Sequence, residues 1–181
     1  NAHPMILSAG SDGHIGMWHP TRREHPFVMD HVTSKKPSAS VCAAKYFYMD
    51  KLVVAGVGSS LQFYKYVLDS GGGDLDRFRN WSRLENVGTY RTDAQSVTAL
   101  DCINSSLSTV VVWAGSNKEV GVVDVATERT IRRIDNAHDR PIHSLEMMSG
   151  SRYASVSEDA LHRFASSGCD SLTKRWDMRA V

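Results

Sequence analysis

Cysteine is scarce in this chain: Cys42, Cys102 and Cys169 are the only three among 181 residues. Their odd number and wide separation exclude a disulfide framework and a zinc module, so they read as ordinary buried or half-buried thiols. An excess of charge of either sign is also missing: 21 Lys and Arg stand against 20 Asp and Glu, a formal net charge of +1. The basic pairs Arg22-Arg23, Lys35-Lys36 and Arg132-Arg133 are interrupted by acids, which leaves no strong phosphate-binding field and disfavours nucleic acid as a partner. No apolar run approaches the roughly 20 residues that span a bilayer, and the N-terminus shows neither a basic start nor an apolar signal core. The expectation is therefore no membrane insertion and an intracellular placement, the cytoplasm first, with cytoskeletal and nuclear sites left open. Helical periodicity is missing as well, apart from one weak stretch at residues 74–83.

What is present is a repeat. Four segments carry a small-residue pair followed eight positions later by a large apolar anchor: Ala9-Gly10 to Trp18, Ala55-Gly56 to Tyr64, Ala114-Gly115 to Val123, and Ser167-Gly168 to Trp176. Periods of this length must be found before elements are assigned, because they decide the architecture. Between glycine and anchor lies a polar turn, then apolar alternation: Ser11-Asp12-Gly13 before Ile15 and Met17, Gly58-Ser59-Ser60 before Leu61 and Phe63, Ser116-Asn117-Lys118 before Val120 and Val122. Turn residues followed by a period of two are a hairpin signature. Upstream β-rich runs at residues 40–47, 96–103 and 142–147 supply an inner strand to each unit, and weaker runs such as 130–134 supply an outer one. The reading is all-β: four-stranded antiparallel units, about fourteen strands in all.

The last unit carries the most specific motif: Ala137-His138-Asp139, then Ser167-Gly168-Cys169-Asp170, then Trp176-Asp177. With the repeat spacing, it resembles the WD-repeat β-propeller family. The resemblance implies a partial propeller of about four blades, and a structural hydrogen-bond network of His138, Ser167, Asp170 and Trp176. A buried imidazole and a buried indole N–H each need a partner, which a turn aspartate and a hydroxyl can provide. An Asp-His-Ser set also suggests a hydrolase triad, but a nucleophile elbow needs a strand-turn-helix context, and Ser167 sits in a hairpin. The other units depart from the motif: the serine position reads Ala9, Ala55 and Ala114, while Tyr64 and Val123 replace tryptophan. In the last unit Thr173 and Arg175 stand where apolar residues are expected, which predicts an outer register shifted by one residue.

Blade boundaries follow from the spacing: 1–39 as a partial blade with a linker loop, 40–94 with an inserted loop 70–81, 95–136, and 137–181 with an inserted loop 149–162 and no outer strand, all one propeller segment. If each end of the stack leaves roughly 400 Å² of apolar sheet face in water, the two together forgo about 20 kcal/mol at ~25 cal/mol/Å². Closure of the ring by further repeats is therefore expected, with a second copy of the chain as the alternative.

The expected function is a non-catalytic scaffold that binds other proteins or peptides through the loops on the propeller faces. Both insertions emerge on one face and bring Arg77, Arg79, Trp81, Arg152, Tyr153 and Arg163, residue types that dominate interface anchors. The opposite face carries the tight turns with Asp139 and Arg140. A propeller enzyme such as a glycosidase would need paired carboxylates roughly 5 to 9.5 Å apart, and no pair stands out. RNA binding would use the arginine-rich insertion, with Trp81 stacking on a base. His14, His19, His25 and His31 fit neither a helical pair nor one strand face, so no metal or cofactor is expected.

Overall fold

The computed structural model describes residues 6–18, 27–29, 40–67, 83–148 and 159–179. Among them the chain forms fourteen strands and one short 3-10 turn, Ala160–His162. The first sheet holds β1 (Ile6–Ala9), β2 (Ile15–Trp18) and β3 (Phe27–Met29). The second is β4 (Val41–Phe47), β5 (Leu52–Val57), β6 (Ser60–Val67) and β7 (Arg83–Arg91). The third is β8 (Val97–Cys102), β9 (Val110–Gly115), β10 (Val120–Asp124) and β11 (Arg129–Ile134). The fourth is β12 (Ile142–Met147), β13 (Arg163–Gly168) and β14 (Thr173–Asp177). Every pairing is antiparallel between consecutive strands. This is a partial β-propeller. The stretch at 74–83 lies outside the described residues except for Arg83, which opens β7 as a strand.

Three apolar cores fill the three seams between sheets, as stacked sheets with two apolar faces require. Ile15 and Met17 meet Val53, Ala55 and Tyr64 across the first seam. Val54, Leu61 and Phe63 meet Val111, Trp113 and Val123 across the second. Val112, Val120 and Val122 meet Ile142, Leu145 and Phe164 across the third. Successive strand residues thus face alternate neighbours, which is why β5, β9 and β10 are apolar almost throughout.

Hairpin geometry corrects two expectations. In the first, third and fourth sheets the second and third strands are joined by the same three-residue turn, closed by Gly10 N–H to His14 O, Gly115 N–H to Glu119 O and Gly168 N–H to Leu172 O at 2.9, 2.9 and 3.2 Å. Its last residue is left-handed: Gly13, Lys118 and Ser171, with φ of 88°, 68° and 65°. In the second sheet Val57 pairs with Ser60, leaving only Gly58-Ser59 as the turn. The register that slips is therefore that of the second unit, and the last unit keeps the common one. The inner strands say the same: Val41, Val97 and Ile142 pair with Val57, Gly115 and Gly168, each just before a β-bulge. Val57, and not Gly56, is the counterpart of Gly115 and Gly168.

Thr173 and Arg175 are explained by what they face. They occupy the places of Val120 and Val122 in the third sheet, the side turned toward a following sheet, and both are exposed. Among the described residues, this end of the stack does not show the apolar face expected of it.

Candidate functional site

The buried face of β13 alternates Phe164, Ser166, Gly168, and that alternation sets the chemistry of the fourth blade's turn. His138, fully buried, reaches this face from the turn before β12. Its Nδ1 lies 2.9 and 3.0 Å from the two Asp170 carboxylate oxygens, and its Nε2 lies 2.8 Å from Ser166 Oγ. Trp176 Nε1–H donates to the same hydroxyl at 2.8 Å. One tautomer satisfies every group: Nδ1–H donates to Asp170, and Nε2 accepts from Ser166, whose oxygen accepts from the indole. Asp170 also accepts from the Asp139 and Leu172 amides, each at 3.1 Å, so it caps its own turn. Partial burial works against its ionisation, but the hydrogen bonds from His138 and the two amides outweigh it and hold the carboxyl down at about 2.

The serine in this chain is Ser166, one residue before the expected Ser167. Ser167 points to the other face of the sheet and bonds Thr173 Oγ1 at 2.8 Å. A period of two makes a one-residue offset a change of face. Counting back from the glycine in steps of two, through the apolar Phe164, would have found it. Aligned this way, the counterparts of Ser166 are Ser8, Ala55 and Trp113. In the third blade the Trp113 indole lies across Gly121, where any Cβ would collide with it. Its Nε1–H is buried and has no partner among the described residues.

Asp170, His138 and Ser166 have the order and distances of a charge-stabilised hydroxyl nucleophile. The surroundings remove that chemistry: His138 is 0% and Ser166 1% exposed, and the hydroxyl oxygen is already occupied by the indole N–H. No acyl group can reach it.

A second polar site joins three blades near the axis and was not anticipated from sequence. Asp101, buried on β8, takes the β12 backbone N–H of Met147 at 2.7 Å and the β4 side chain of Lys45 at 3.2 Å. Beside it, burial and then the charge of Asp101 push the Cys102 thiol up to about 12, which leaves it unreactive.

Of the expected contact residues, Asp139 and Arg140 are exposed on the turn face, and the Asp139 amide is spoken for by Asp170. Arg163 is not a loop residue. It opens β13 and pairs with Asp177 at 3.2 Å and Asp159 at 3.9 Å, beside Arg179, which also binds both acids. The arginines, Arg179 foremost, hold the Asp177 carboxyl well below the usual range, and together they clamp the 3-10 turn to the end of β14. Arg77, Arg79, Trp81, Arg152 and Tyr153 lie outside the described residues, as do His19, His25 and His31; His14 is exposed beside Asp12.

Stacked antiparallel sheets around a shared inner edge, with a spent polar network at a blade's turn, define a segment of a propeller. The chain is 28% identical over 166 residues to the DDB1- and CUL4-associated factor 11 homolog of Caenorhabditis elegans, an alignment covering 81% of this chain and 26% of that protein. The chain thus spans about a quarter of the curated relative's length. DDB1- and CUL4-associated factors are a WD-repeat family, in agreement with the architecture. No protein-family profile matches the chain.

Proposed function

We propose that this chain is a non-catalytic WD-repeat scaffold segment that binds other proteins through its propeller face loops. The observation that carries the reading is the spent network: the imidazole, hydroxyl and carboxylate that could have done chemistry are buried and partnered with one another. The turn residues around them, Asp139 and Arg140 among them, remain exposed. A rigid sheet stack presenting loops is a recognition platform. Similarity to a protein named for association with DDB1 and CUL4 supports a partner of that kind, and we assign this chain's parent protein to the same partners. The runs Leu61-Gln62-Phe63-Tyr64 and Ala137-His138-Asp139-Arg140 also resemble the C-terminal repeats of WD repeat-containing protein twenty-seven, another scaffold reading. The test is co-precipitation of the full-length protein with purified DDB1. Retention of DDB1, weakened by Asp139→Lys with Arg140→Glu, supports the reading and places contacts on the turn face. No retention overturns the DDB1 assignment.

A further inference from the structure

The sheets can be compared place by place, because the strand pairings align them. Toward the following sheet the second blade turns Ala43, Val54, Gly56, Leu61 and Phe63. The third turns Ala99, Val112, Ala114, Val120 and Val122, all in the core shared with the fourth. At the same five places the fourth blade has Ser144, Ala165, Ser167, Thr173 and Arg175.

We infer that the forward face of the fourth blade is a water-facing seam, on which no apolar sheet stacks. The inference rests on the chemistry of the face. Ser167 and Thr173 already satisfy each other across the strands at 2.8 Å, an arrangement at home in water. Arg175 takes the place of Val122 in one row with Ala165 and Glu146, and an arginine and a glutamate covered by an apolar sheet are penalised by desolvation even as a pair. A terminal unit of a stack needs such a polar outer face to stay soluble, whereas an interior one needs an apolar face. The ring would therefore be held at this seam by the strands and loops that bridge it, and not by a fourth apolar core.

Thiol labelling of the full-length protein tests this. Ser144→Cys and Thr173→Cys variants are treated with N-ethylmaleimide, and modification is followed peptide by peptide by mass spectrometry. The native cysteines serve as controls: Cys169 is exposed and Cys102 is buried. On a wet face both new thiols label within about tenfold of Cys169, since no opening event precedes reaction. Rates nearer to that of Cys102 mean that a sheet or a second copy covers the face, and overturn the inference. Should either variant fold poorly, Arg175→Leu provides a second reading. On a wet face it moves Tm by no more than about 2 °C. A rise of more than about 5 °C means the new apolar side chain is buried against a neighbour, which also overturns it.

Discussion

Ser166→Ala and Ser167→Ala differ by one position, and the structure assigns them different outcomes. Removing the Ser166 hydroxyl strands two groups at once: the Trp176 indole N–H and the His138 Nε2, each bonded to it at 2.8 Å. A buried polar group left without a partner costs about 1–3 kcal/mol. The imidazole is fully buried and suffers most of this, while the half-buried indole is partly rehydrated. The expected loss is about 2–4 kcal/mol, a large share of a net stability of about 5–15 kcal/mol. Ser167→Ala removes one hydroxyl contact to Thr173, which is exposed and finds water, so the expected cost is below about 0.5 kcal/mol. Urea unfolding followed by circular dichroism separates the two. With a slope of about 2 kcal/mol/M, Ser166→Ala lowers the midpoint by about 1–2 M and Ser167→Ala leaves it near the parent value. Equal midpoints for the two variants, or a larger loss for Ser167→Ala, would refute the assignment of Ser166 to the network.

Other consequences can be measured with the same protein. Gly121→Ala drives a methyl into the Trp113 indole in a closed core and is expected to cost about 1–3 kcal/mol in urea unfolding. Asp101→Ala strands the Met147 N–H and is expected to cost about 1.5–3 kcal/mol, whereas Asp101→Asn keeps an acceptor and loses only the pair with half-exposed Lys45, about 1 kcal/mol or less. Asp170 has its folded pKa depressed to about 2, so its contribution is complete above the unfolded carboxylate value near 3.9 and fades as pH falls toward 2. In acid titration of the folded signal, Asp170→Asn is therefore less stable than the parent at neutral pH, and the difference shrinks below about pH 4.

The amino-acid sequence alone determined the strands, because a period of two and polar turns at Asp12, Asn117 and Asp170 are local properties of the chain. The resemblance of the last unit to the WD-repeat family also implied His138, Asp170 and Trp176 as one polar set. Tertiary structure decided which way each strand faces. A turn one residue shorter in the second blade moved the register from Gly56 to Val57, and a single step along β13 exchanged Ser167 for Ser166. Turn length and sheet face are settled by which register buries the most apolar surface, a sum over neighbouring sheets that no local window contains. Asp101 is the extreme case: its partners Lys45 and Met147 stand on other blades, brought to it only when the inner strands gather around their axis.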